Sequence, residues 1–168
     1  TNTTITPSAT TGSAITLISS TDIFESGHEG SYWRIGHFRA ADTLSHDIDA
    51  QENSTTIEVF GPYTLRSYGT WAATLEFQKS LDDGATWETV HKVVGDSDQN
   101  LEIKGEAEEE CLMRVSVSAF TSATDARATI ETEDAVIYGI VQITTVNSGG
   151  SATAKVLDDY PLYSTDAT

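Results

Sequence analysis

Between two strand-like runs stands Ser80-Leu-Asp-Asp-Gly-Ala-Thr-Trp87, which fits S-x-D-x-G-x-T-W, the pattern of an Asp-box turn. The order of residue types dictates a tight reversal. Asp82 is placed to accept from the backbone amides that follow it, and Gly84 can take a positive φ. Thr86 completes the box, and Trp87 opens the return strand with a large apolar anchor. The preceding run, Trp71 to Gln78, alternates cleanly. Trp71, Ala73, Leu75 and Phe77 fall on one face, and Thr74, Glu76 and Gln78 on the other, as in a sheet with one wet side. Trp87 to Val94 returns. The motif commits the chain to a β-hairpin and leaves activity open, because a turn of this kind is architecture rather than chemistry.

Composition agrees with strands. Thr and Ser make up about a quarter of the 168 residues, and long helix-forming stretches of Leu, Ala, Glu and Lys are missing. The length allows one ample core or two small ones. No run of about 18 apolar residues occurs, so no membrane-spanning helix is expected. The chain starts at Thr1 with no signal peptide pattern, and a processed or excised region of a longer polypeptide is expected. Nine basic residues face 26 acidic ones, for a formal net charge of −17. Such a surface repels phosphate backbones, and direct nucleic-acid binding is not expected. A solvated, non-sticking surface is one reading of the carboxylates and a Ca²⁺ site the other. Cys111, the single cysteine, has no disulfide partner and is read as a partly buried, inert thiol.

Along the chain, short strands are expected at Thr4–Thr6, Ala14–Ser19 and Tyr32–Phe38. A cap and helical turn are read over Ser20–Gly27, with Ile23 and Phe24 inward. Residues 40–53 read as a polar connection, with His37, His46, Asp42, Asp47 and Asp49 as its densest potential ligand group. Thr56–Phe60 is a strand that Gly61-Pro62 breaks. Leu101–Ile103, Cys111–Ala119 and Ala126–Glu131 follow, with Met113, Val115 and Val117 inward. Turn signals recurring every 8–12 residues are the pattern of a β-sandwich. Ala135–Val146 is long for one strand, and Gly139 is read as a bend or bulge. Asn147–Gly150 is a hairpin loop, Ala152–Leu157 pairs back, and the tail Tyr163–Thr168 ends the sheet.

Two segments carry a resemblance. Ile15-Thr-Leu-Ile-Ser-Ser-Thr-Asp-Ile-Phe24, with Gly27-His28 and Gly30-Ser-Tyr-Trp-Arg-Ile35, resembles a module common in structural proteins of tailed phages. Tyr138-Gly-Ile-Val-Gln-Ile-Thr-Thr-Val-Asn-Ser and Ser151-Ala-Thr-Ala-Lys-Val-Leu157 are similar to that module's closing hairpin. The resemblance is to virion proteins of the tail-tube or nozzle type of short-tailed phages, and covers roughly 70 residues at the two ends. About a hundred residues separate the halves. What it implies is an all-β chain. A small discontinuous β-barrel, residues 1–50 and 132–168, is interrupted by a β-sandwich, Ig-like or jelly-roll-like, over 51–131. It also implies location in the phage tail, with other copies of the parent or neighbouring tail proteins as partners.

No catalytic constellation stands out, and neither an enzyme nor a cofactor is expected. Sialidases carry several Asp boxes, but here there is a single Asp-box-like hairpin, and Arg34, Arg39, Arg66, Arg114 and Arg127 are scattered. A pair of acids for glycoside hydrolysis depends on spatial separation and stays open. Trp71 and Trp87 are expected in the core. Tyr63, Arg66 and Tyr68 are read as a loop and form the candidate surface contact, either for a host-surface glycan or as simple packing. The leading function is a non-enzymatic tail module with host-surface contact as an additional role. A carbohydrate-binding or adhesin module is the alternative, and a glycosidase-associated fragment the third.

Overall fold

The structure is a computed structural model that describes residues 3–96 and 100–162. The described residues form nine strands: β1 (Ile5–Pro7), β2 (Ile15–Ser19), β3 (Tyr32–Arg39), β4 (Thr43–Asp47), β5 (Ile57–Ser80), β6 (Glu88–Gly95), β7 (Leu101–Thr132), β8 (Ala135–Ser148) and β9 (Ser151–Val156). One 3-10 turn, Ser26–His28, lies between β2 and β3. The chain divides into two compact units, Thr1–Arg39 with Val136–Thr168, and Ala40–Ala135. The tail 163–168 lies outside the described residues.

The first unit is a nearly closed antiparallel barrel in the order β1-β2-β9-β8-β3. Its strands come from both ends of the chain: Ile15 pairs with Ala154, Leu17 with Ala152, and Val141 with Val156. Alternation sends Ile15, Leu17, Val141, Ile143, Ala152, Ala154 and Val156 into one core, which Phe24 and Leu162 complete. The alanines keep that interior narrow. The irregularities of the β8–β9 pairing fall between Ile143 and Thr145 and between Val146 and Ser148. Gly139 makes room for the chain after β9. A Cβ there would stand 2.6 Å from the Pro161 carbonyl oxygen and 2.6 Å from Leu162 Cδ2. The helical turn also comes later than the sequence suggests. The amides of Ile23 and Phe24 both donate to the Gly149 carbonyl at 2.8 and 2.9 Å. That pins the segment to the turn of the β8–β9 hairpin and delivers Phe24 to the core beside Trp33, with ring centroids 5.3 Å apart.

The second unit is a four-stranded antiparallel sheet in the order β4-β7-β5-β6. Two of its strands are very long, and they pair with each other along more than one stretch. Tyr63–Ser67 has β7 on both sides, residues 101–105 on one and 128–132 on the other. Near its C-terminal end, Phe77 pairs with Val115 and Gln78 with Arg114. Both strands bend where they meet. Gly69 sits at φ +86 and Asp125 at φ +47, and a Cβ on Gly69 would lie 2.1 Å from the Asp125 carbonyl oxygen. The bent sheet encloses Leu65, Trp71, Leu75, Phe77, Met113, Val115, Val117 and Ile130. Trp71 is 1% exposed.

Three sequence expectations are corrected here. Gly61-Pro62 does not break a strand: β5 runs on through Gly61, at φ +75, beside a register shift in which β7 carries the extra residues between Ala107 and Cys111, an irregularity that tolerates the missing amide of Pro62. Tyr63, Arg66 and Tyr68 therefore lie in the middle of β5, not in a loop. The stretch 40–53 contains β4, whose Thr43–Asp47 pairs with Arg127–Glu131. It is an edge strand that buries only Leu44, which is too little for alternation to show.

Candidate functional site

The Asp-box hairpin joins β5 to β6 and is built as its residue order requires. Ser80, buried at the end of β5, bonds Asp82 Oδ1 at 2.7 Å and accepts from the Gly84 amide at 2.8 Å. Asp82 Oδ1 also accepts from the Thr86 amide at 2.8 Å, and Oδ2 from the Thr86 hydroxyl at 2.6 Å. These donors, the Thr86 hydroxyl foremost, hold the Asp82 carboxyl down at about 2. Gly84 takes φ +84, and Asp83 takes φ +56. Trp87 departs from expectation. It is half-buried and outside the core, its Nε1 donating to the Gly84 carbonyl at 3.1 Å. Arg114 lies over its ring, 4.1 Å from the centroid. The indole closes the turn instead of filling the interior.

From Trp87 a chain of polar contacts runs across the wet face of β6, β5 and β7. Arg114 Nε donates to Gln78 Oε1 at 2.8 Å, and Gln78 Nε2 to Glu76 Oε2 at 3.1 Å. Lys92 Nζ bonds Glu76 Oε1 at 2.9 Å, and Ser118 donates to the same oxygen at 3.2 Å. These contacts, led by Lys92, lower the Glu76 pKa. A carboxylate saturated this way is a cross-strand fastener and a poor proton acceptor.

Of the three residues of the candidate surface contact, Arg66 and Tyr68 meet and Tyr63 stands apart. Tyr63 faces inward with Leu65 and Ser67 and packs on the core. Its ring lies across its register partner Gly105, where a Cβ would stand 2.4 Å from Cζ. Burial, then the nearby Cys111 thiol, raises the Tyr63 pKa. Arg66 and Tyr68 lie on the outer face. Arg66 Nη1 donates to the Tyr68 hydroxyl at 3.3 Å, and the guanidinium bridges Glu102 at 3.1 Å and Glu131 at 3.3 Å. The Tyr68 contact and the two carboxylates hold its pKa above the ordinary guanidinium value. Its charge is spent within the sheet.

Tyr63 does line a cavity of about 270 Å³. Leu81, Val90, Ala107, Cys111 and Met113 give it an apolar lining, and Lys79, Glu106, Glu108 and Glu109 supply charge. It lies just under the lower bound of roughly 300 Å³ for small-ligand pockets, so it is sized for a side chain. Sequence reasoning singled out Tyr63 and Cys111 separately. Only the pairing of Tyr63 with Gly105 and of Val59 with Cys111 brings them together. Cys111 itself is buried. A second hollow is lined by Asp47, Asp49, Asp125 and Arg127, with Arg127 Nε 3.5 Å from Asp47. Among the described residues no group of three or more His, Cys, Asp or Glu is placed to hold a metal ion. No helix among them is long and apolar enough to cross a membrane.

Set against family models, curated proteins and solved structures, the chain matches none of them. Its function is read from its own residues.

Proposed function

We propose that the chain is a non-enzymatic structural module of a phage virion, part of a tail protein of the tube or nozzle kind. In this reading the second unit is a β-sandwich, Ig-like or jelly-roll-like, inserted into the small barrel. Its role is shape and contact with copies of the parent or with neighbouring tail proteins, and host-surface contact is an additional role. One observation carries the reading. The two segments that resemble the phage module, a hundred residues apart, are hydrogen-bonded neighbours in one barrel, Ile15–Ile18 against Ser151–Ala154. The insertion leaves after Arg39 and returns at Val136.

The chemistry of the rest supports assembly over catalysis. The ionised groups of the wet face are engaged with one another, and the net charge of −17 suits a surface past which DNA slides without sticking. The adhesin alternative loses its platform, because Tyr63 and Tyr68 lie on opposite faces of β5. The test is to purify particles of the source phage and locate the parent protein by mass spectrometry and antibody labelling. A ring of copies at the tail is expected. A parent that is monomeric and never found in particles would end the proposal.

A further inference from the structure

The outer face of β3 and β8 carries the most exposed apolar surface of the first unit. Alternation turns Trp33 and Ile35 toward the core and leaves Tyr32, Arg34, Gly36 and Phe38 outside. On β8, Val136 and Tyr138 are outside as well. Tyr32 is 64% exposed, Phe38 62%, Tyr138 46% and Val136 44%. Single exposed hydrophobics are ordinary, but four on neighbouring strands of one sheet face mark a contact surface. The surface is also held in place. The Tyr138 ring lies across Gly36, where a Cβ would stand 3.0 Å from Cε1, and the Arg34 guanidinium sits 4.4 Å from the ring centroid. Tyrosine, phenylalanine and arginine arranged flat and ordered are the composition of an interface centre.

Charge says what covers it. Residues 30–41 and 135–157, which include β3, β8 and β9, contain none of the chain's 26 acidic residues, and the outer face of β3 carries the basic Arg34. In a chain of net charge −17 this is the face that an acidic surface can approach without repulsion. A strongly acidic surface belongs to the same chain: Glu106, Glu108 and Glu109 at the rim of the side-chain-sized cavity. Its lining of Tyr63, Leu81, Val90 and Met113 suits an aromatic ring, and its rim suits a guanidinium.

We propose that the outer face of β3 and β8 docks onto the cavity, with its rim of Glu106, Glu108 and Glu109, of a second copy of this chain. Two different patches make the contact heterologous, so it propagates head to tail and closes into a ring or runs on as a filament. The inference builds on the assembly reading above by naming its interface, and the two can fail separately.

Sedimentation velocity of the chain over a range of concentrations is the test, with circular dichroism to confirm that each variant is folded. The expected result is concentration-dependent association that weakens with added salt. Arg34→Glu and Phe38→Ser should each weaken it about ten-fold or more. Glu108→Arg should impair association alone and restore it when mixed with Arg34→Glu. A chain monomeric at every concentration overturns the interface, as does association that neither Arg34→Glu nor Phe38→Ser alters. In both cases the assembly reading is still decided by the particle experiment. Glycan-array binding by a monomeric chain, abolished by Tyr138→Ala, would overturn the interface and reassign the face to sugar. Rescue in the mixture, with the parent absent from particles, would uphold the interface and end the tail reading.

Discussion

Asp82 is the residue whose chemistry is most completely determined. Its two oxygens accept from the Thr86 amide and hydroxyl and meet the Ser80 hydroxyl, and the carboxyl is held at about 2 against an ordinary value of 3.8. A depressed folded-state pKa contributes stability in full above 3.8 and loses it as pH falls through about 2. Asp82→Asn removes the titrating group, so the part of the acid-induced fall in Tm that lies between these values should shrink. Thermal melts of both proteins at pH 6, 3.5 and 2 check this. An identical acid slope in the variant would mean that the box is indifferent to its charge. Gly139 makes a second residue-scale case. Gly139→Ala should cost about 1–3 kcal/mol by pushing 161–162 off the barrel. Hydrogen exchange should then speed up at the amides of Ile140 and Leu162, which bond Tyr160 and Thr10.

At the scale of elements, the informative feature is the shared bend of β5 and β7. Gly69 abuts Asp125 so closely that no side chain fits, and its φ of +86 suits glycine alone. Gly69→Ala should destabilise by about 3 kcal/mol or more, read as a lowered urea midpoint. Gly61→Ala, strained in φ but 3.7 Å from its nearest neighbour atom, should cost less. This bend is also where sequence reading and structure part. Gly61-Pro62 and Gly69 delimit Tyr63–Tyr68 in the manner of a loop, and a bulge and a corner leave the same local trace. What separates the readings is that Tyr63–Ser67 is bonded on both sides by segments roughly forty and sixty-five residues distant. The Trp71–Phe77 face, by contrast, was legible, because period-two alternation is a local property and all four of its inward residues are buried. Trp87 shows the limit of the same rule. By pattern a large apolar residue beside a turn is a core anchor, but the Gly84 carbonyl and Arg114 hold Trp87 at the rim.

For the whole molecule, the two cores share no residue: Leu17, Phe24, Val141 and Ile143 belong to one, and Leu65, Trp71, Phe77 and Val115 to the other. A cavity made in one should be felt there. Phe77→Ala is expected to cost about 3–5 kcal/mol and Leu17→Ala about 2–5, each read as faster hydrogen exchange in the strands of its own unit. Protection lost equally in both units from either substitution would show that they unfold as one. Local residue pattern suffices for the strands that alternate, the Asp-box reversal with its Asp82 and Gly84 geometry, and the closing hairpin around 149–150. All of these follow from bonds and faces within about ten residues. The tertiary structure alone decided that Tyr63 faces the core and Tyr68 solvent, that β4 is a strand, and that Gly139 admits Leu162. It also decided that an acid-free aromatic face lies on β3 and β8. Each depends on a partner far along the chain, and local propensity carries no record of which distant segment supplies the missing hydrogen bonds.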